Sequence, residues 1–257
     1  MSRKTKTSYG FKPDKKNPED YRFGAFLPTE TLQENADWSD YLPVKEVQNI
    51  NLIETQACTS FATLNCLETL IRRQYNEEIN FSDRWSAWNS GTDPYGGNTP
   101  NQVAETLRKA GVPLQDKWDF KDIDSPEEFY ENPPAKLFEQ ARADFIEPYA
   151  FKHEWVDTDK ESIKQALKCS PLGVSVYAWL ANGEVYYKPK GTRDNHWTVL
   201  YGFDDEMGAW KIYDSYDNEF KLYSYGADIE FAKRYYIKKK ETKKQCRLTK
   251  YLMEIID

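Results

Sequence analysis

The stretch Gln56-Ala57-Cys58-Thr59-Ser60-Phe61-Ala62 decides how this chain is read. Phe61, Leu64, Leu67, Leu70 and Ile71 follow at helical spacing, which predicts an amphipathic helix with one buried face and Cys58 at its mouth. The first N–H groups of a helix lack intrahelical partners, and the positive end of the macrodipole lies among them. Such surroundings favour a thiolate nucleophile. Taken alone, Cys58 reads first as a small packed hydrophobe, so its meaning depends on its company. Cys66 reads as core, and Cys169 and Cys246 as structural or incidental, since neither has acid–base company.

The chain has two histidines. His153, in Phe151-Lys152-His153-Glu154-Trp155, has a neighbouring acid but no nucleophile and reads as a surface residue. His196 opens the strand-like run Trp197-Thr198-Val199-Leu200-Tyr201-Gly202-Phe203, and a turn at 204–208 returns the chain as Ala209-Trp210-Lys211-Ile212-Tyr213-Asp214. Antiparallel partners sum to a constant. With Phe203 opposite Ala209, Asp214 falls opposite Thr198 and His196 opposite Tyr216, so His196 and Asp214 stand one diagonal step apart. A cysteine, a histidine and an acid suit acyl transfer. The thiolate attacks a carbonyl, the imidazole protonates the leaving group, and the acid orients the imidazole. The backbone N–H of Cys58 could donate to the developing oxyanion.

Composition sets the limits. With 257 residues there is room for a sizeable core, and 18 Tyr, 13 Phe and 8 Trp argue against disorder. A formal charge of -7 disfavours nucleic acid as the main partner. No apolar run is long enough to span a membrane, and Met1-Ser2-Arg3-Lys4-Thr5-Lys6 has no apolar segment behind it, so no secretory signal is expected. Four scattered cysteines make neither a disulfide framework nor a zinc site, so no metal or cofactor is expected. The expected location is cytoplasmic, although a virion-associated chain would look the same.

Residues 1–35 read as an extended N-terminal arm, polar and proline-bearing. Ser82 or Asp83 caps a second helix, Thr99-Pro100 opens a third that ends at Gly111, and Ser125-Pro126 and Pro133-Pro134 start two more. Thr158-Asp159-Lys160-Glu161 has the form of a capping box. Strand-like runs then appear at 173–179, 196–203, 209–215, 220–224 and 231–237. A helical unit over 36–130, a β-rich unit over 131–240 and a tail over 241–257 make an α+β chain. The basic run Lys238–Lys244 reads as a solvated segment.

These residues resemble the papain-like cysteine peptidases. Leu42-Pro43-Val44-Lys45, Gln48 and Cys58-Thr59-Ser60-Phe61-Ala62 are similar to the family's segment before and into its central helix. Phe81-Ser82, Gly96-Gly97-Asn98-Thr99-Pro100, Pro171-Leu172-Gly173-Val174-Ser175-Val176, His196 and Asp214-Ser215-Tyr216 follow in the family's order. Tyr9-Gly10-Phe11-Lys12-Pro13-Asp14 with Pro18-Glu19-Asp20-Tyr21 resembles the short leader of bacterial and phage-borne members.

The resemblance implies a two-domain α+β fold, mainly helical first and antiparallel β-rich second, with the active-site cleft between. It implies a thiol protease acting on a polypeptide substrate, with Cys58 as nucleophile, His196 as acid–base partner and Asp214 as orienting residue. Gly96 and Gly97 would line the substrate groove, where missing side chains admit a peptide backbone, and Tyr216 would shield the His–Asp contact. Leu52 occupies the offset where the family has its oxyanion glutamine, so either Gln48, displaced by a short insertion, or Gln56 would take that role. Asp214 stands where the family has asparagine and would favour the imidazolium more strongly. No long inhibitory pro-segment is expected; whether residues 1–35 cover the cleft is open. Two other readings keep parts of this picture: a transglutaminase-like amidase or acyltransferase, and a non-catalytic papain-fold binding module.

Overall fold

The computed structural model describes residues 10–15, 20, 22–25, 27–50, 53–217 and 219–241. Tyr9, Pro18, Glu19, Tyr21, Leu52, Cys246 and the tail beyond 241 lie outside the described residues. In chain order come β1 (Asn49–Ile50), β2 (Ile53–Glu54), α1 (Cys58–Tyr75), α2 (Asp83–Asn89), α3 (Pro100–Ala110), α4 (Pro126–Phe129) and α5 (Lys136–Ala141). Then follow β3 (Tyr149–Val156), α6 (Lys160–Leu167), β4 (Leu172–Val176), β5 (Ala181–Asn182), β6 (Val185–Tyr186), β7 (His196–Asp204), β8 (Ala209–Tyr213), β9 (Phe220–Ser224) and β10 (Ala232–Lys239). Among the described residues, eight strands form one sheet in the order β3-β10-β4-β7-β8-β9-β6-β5, antiparallel except where β6 meets β9.

Local chemistry sets the helix ends. Ser82 and Thr99 cap α2 and α3 by accepting from the backbone N–H of Trp85 and Gln102, and Pro100 takes the first helical position of α3. Gly111 ends α3 with a positive φ of 79°. The cap of α6 is Asp159, which accepts from Ser162 N, so the expected box starting at Thr158 is displaced by one residue.

Helix α1 lies against β7, β10 and β4. Its residues from Cys58 to Ile71 are all buried, which corrects the expectation of a single buried face. A helix covered all round belongs to the interior of a larger protein. Its polar residues bond locally or across the interface: the Thr63 hydroxyl donates to the Thr59 carbonyl and lies 3.1 Å from the Tyr235 hydroxyl on β10. The segment before α1 also reaches the sheet. Trp38 is fully buried, its backbone N–H donates to the Tyr201 carbonyl, and its indole donates to the Leu167 carbonyl.

Candidate active site

Two features of the backbone bring the sequence candidates together. First, the β7–β8 hairpin pairs Asp204 with Ala209 at its turn, one residue away from the expected register. A bulge between Leu200 and Gly202 takes up the extra residue, so Leu200 pairs with Ile212 and Val199 with Tyr213. At the site end, the register is therefore the one the sequence suggests. Asp214 follows β8 directly, and His196 begins β7, paired with Val176 on β4. Second, the hairpin β1–β2, closed by Asn49 opposite Glu54, inserts residues between Gln48 and α1.

His196 Nε2 lies 2.6 Å from Asp214 Oδ1, and the imidazole feels the Cys58 sulfur at the first turn of α1. All three residues are fully buried. Burial works against the imidazolium, but Asp214 and the Cys58 sulfur outweigh it, and His196 is pushed up to about 10. Burial likewise opposes the Asp214 carboxylate, yet His196 and Lys221 hold it below its ordinary range. The imidazole edge is flanked by two rings: Tyr216 at 6.3 Å and Trp179 at 5.7 Å, both near perpendicular.

Gln48 is fully buried beside this centre. Its backbone N–H donates to the Ser215 carbonyl at 2.7 Å, its Oε1 accepts from Ser215 Oγ at 2.9 Å, and its Nε2 donates to Glu54 Oε1 at 2.8 Å. The same Glu54 oxygen accepts the backbone N–H of Gln56 at 2.8 Å. Gln56 takes a left-handed conformation with φ of 57°, and a Cβ on Gly10 would collide with its carbonyl.

The structure places Gly96 and Gly97 against the N-terminal segment. Gly97 exchanges backbone hydrogen bonds with Asp93, and a Cβ on it would strike the Gly10 carbonyl. Gly96 lies beside Asp93 and the Lys12 side chain. Asn98 N donates to the Gly10 carbonyl at 2.9 Å and Lys12 N to the Asn98 carbonyl at 2.8 Å, so Phe11 runs parallel to Asn98. Phe11 is 6% exposed and stacks on Trp197, the residue after His196, at 5.6 Å.

One expectation about another residue needs correction. His153 is not a surface residue: its side chain is 10% exposed, with Nε2 3.0 Å from Glu105 and Nδ1 3.1 Å from the Lys233 ammonium. Burial and Lys233 push it down to about 3. Its sequence neighbour Glu154 pairs instead with Arg234 at 2.8 Å. Cys66 is fully buried, where desolvation raises its thiol, in keeping with the core reading, and Cys58, Cys66 and Cys169 are free thiols.

Sequence reasoning missed Lys221. It sits on β9 opposite Ile212, is 2% exposed, and places Nζ 3.1 Å from Asp214 Oδ2 while also pairing with Asp217. A signal was present: on a strand, Lys221 shares its face with Tyr223, which is fully buried. Among the described residues, no cluster of His, Cys, Asp or Glu is suited to a metal, and no helix is long and apolar enough to cross a membrane.

No family model and no curated protein sequence matches this chain. Solved structures do match its fold. Xylellain, a cysteine protease from Xylella fastidiosa, superposes with a TM-score of 0.64 at 20% identity, over 95% of this chain and 99% of that one. The clostridial cysteine protease Cwp84 gives 0.63 at 16% identity, over 78% of this chain and 56% of that one. Amb a 11, a ragweed pollen cysteine protease in its proform, gives 0.58 at 13% identity, over 82% and 67%. The fold is the papain-like α+β fold of the cysteine proteases.

Proposed function

We propose that this protein is a cysteine endopeptidase. The observation that carries the reading is the imidazole of His196, held between the thiol of Cys58 and the carboxylate of Asp214 where α1 begins. A raised imidazole keeps its proton at neutral pH, which is the state that stabilises a thiolate as an ion pair. Cys58 attacks the peptide carbonyl and forms a thioester, and the electrons return to expel the amine. His196 delivers its proton to that amine, then accepts one from the water that hydrolyses the thioester.

The developing oxyanion is assigned to the backbone N–H of Cys58 and the amide of Gln48. Gln48 is favoured over Gln56 because its side chain is anchored to Ser215, next to Asp214, whereas the constrained feature of Gln56 is its backbone. Tyr216 is assigned the shielding role through its edge contact with His196.

Complete burial of Cys58 and His196 bears on access. Residues 10–12 lie on Asn98 and Gln56, where the reading places a peptide substrate beside Gly96 and Gly97. In this reading the described form is closed by its own N-terminal segment, which a substrate must displace.

The test is covalent labelling with an epoxide probe for cysteine peptidases, read by peptide mass spectrometry, followed by a peptide cleavage assay. Selective labelling of Cys58 that His196→Ala abolishes, together with cleavage, is the expected result. Equal labelling of the thiols and no cleavage would leave the fold as a binding module. Transfer to an amine acceptor without hydrolysis would assign the acyltransferase reading instead.

A further inference from the structure

The third member of the centre is a charged aspartate, and the structure supplies it with a buried cation. From the geometry we infer that Lys221 is a positioning residue for His196, acting through Asp214 to hold one carboxylate oxygen while the other faces the imidazole. The inference rests on the proposed Cys58–His196–Asp214 centre.

Three observations support it. Asp214 divides its oxygens, Oδ1 at 2.6 Å from His196 Nε2 and Oδ2 at 3.1 Å from Lys221 Nζ. The Lys221 side chain is 1% exposed, and burying an ammonium costs several kcal/mol unless it is paired. An apolar residue would fill the space without that cost. Finally, the ammonium lies over the Trp179 ring at 5.1 Å and the Tyr186 ring at 5.9 Å, and Trp179 itself abuts His196.

The physical consequence concerns the acid step. A buried carboxylate with no counter-charge binds the imidazolium so tightly that the proton is released reluctantly to the leaving amine. A cation on its far oxygen offsets that hold, so the Asp214–Lys221 pair presents His196 with something closer to the dipole of a neutral amide. The other groups facing this pair are Asp217, paired with Lys221 from the following turn, and Lys45, whose ammonium feels Lys221 and lies over the Tyr213 and Phe220 rings. His196 itself meets Cys58, Asp214 and the rings of Trp179 and Tyr216.

The test is an NMR pH titration of the two histidines in a Cys58→Ala background, comparing Lys221, Lys221→Met, Lys221→Arg, Asp214→Asn and Asp214→Asn/Lys221→Met. Lys221→Met should raise the His196 midpoint by about one unit, tenfold in proton affinity, while Lys221→Arg restores it. Asp214→Asn alone should drop the midpoint, because an ammonium then faces the imidazole without its carboxylate, and the double variant should recover part of that drop. His153 should not move in any of them.

An unmoved His196 in folded Lys221→Met, or equal midpoints in Asp214→Asn with and without Lys221, would overturn the inference. The second comparison holds even where Lys221→Met alone does not fold. Labelling and cleavage by the otherwise unaltered enzyme judge the peptidase reading separately. Loss of activity with the titration pattern intact would sink that reading and leave the role of Lys221 standing.

Discussion

Gln48 and Ser215 are joined twice: the backbone N–H of Gln48 donates to the Ser215 carbonyl, and the Ser215 hydroxyl donates to the Gln48 side-chain oxygen at 2.9 Å. The link ties the segment ahead of α1 to the residue after Asp214, and it turns the amide nitrogen of Gln48 away from Ser215. If the amide serves the oxyanion, Gln48→Ala should lower kcat by about 10²–10³-fold with KM little changed. Ser215→Ala, which removes only the orienting hydroxyl, should cost about tenfold or less. Steady-state kinetics on a peptide substrate decide both; unaltered kcat in Gln48→Ala would transfer the role to another donor.

Cys58→Ala should abolish turnover while leaving the far-UV circular dichroism and Tm close to wild type. His196→Ala should fall further than Asp214→Ala, because the imidazole moves the proton and the carboxylate only orients it. Turnover by Cys58→Ala at the wild-type rate would end the thioester mechanism.

The pH dependence follows from the shifts at His196 and Asp214. His196 is raised above its ordinary 6.5, so its stabilising contribution is complete below 6.5 and is lost as pH climbs towards about 10. Asp214 is lowered, so its contribution is present above 3.8 and disappears as pH falls through its folded value. Activity that needs the imidazolium should hold through neutrality and fail on the alkaline side as His196 loses its proton. Asp214→Asn should bring that alkaline limb down by at least about one unit. A wild-type limb near 6.5 would contradict the ion-pair state.

Phe11 anchors the N-terminal segment by stacking on Trp197. Phe11→Ala should speed epoxide labelling of Cys58 by about tenfold, the effect of removing roughly 1.4 kcal/mol from a closing equilibrium. Labelling at the wild-type rate would mean that residues 10–12 are not what closes the site.

Away from the site, Glu68 accepts the Phe81 backbone N–H at 2.8 Å and is pushed up to about 8, chiefly by burial. Its unfolded form ionises near 4.5, so stability declines as pH rises from 4.5 to about 8. Glu68→Gln keeps the acceptor without the charge. It should raise Tm at pH 8 by ~2–4 °C and change it little at pH 4.5, by differential scanning calorimetry.

The helix ends and the strands β7 and β8 were legible because Ser82, Thr99-Pro100, Gly111 and the apolar runs around His196 and Asp214 carry local signals. Strand β3 was not. Lys152, His153 and Glu154 interrupt its apolar pattern; Lys152 is exposed, and the other two are accommodated by partners on other elements, Glu105 and Lys233 for His153 and Arg234 for Glu154. The bulge at Tyr201 was hidden for a related reason, since a one-residue offset leaves no mark on composition. Lys221 was overlooked because a lysine on a strand is ordinarily a solvent-facing residue, and its partner lies on a neighbouring strand end. Pairings between distant residues decide such cases, and one sequence does not display them.

The three described thiols, Cys58, Cys66 and Cys169, are all buried. Oxidation to sulfenic and sulfinic acids proceeds at sulfur that reagents can reach. On the proposed closed reading, peroxide in the surroundings meets none of these three sulfurs while residues 10–12 stay docked. Opening the groove would then expose Cys58 to substrate and oxidant together, so the working life of each molecule would begin to run down at the moment it becomes competent.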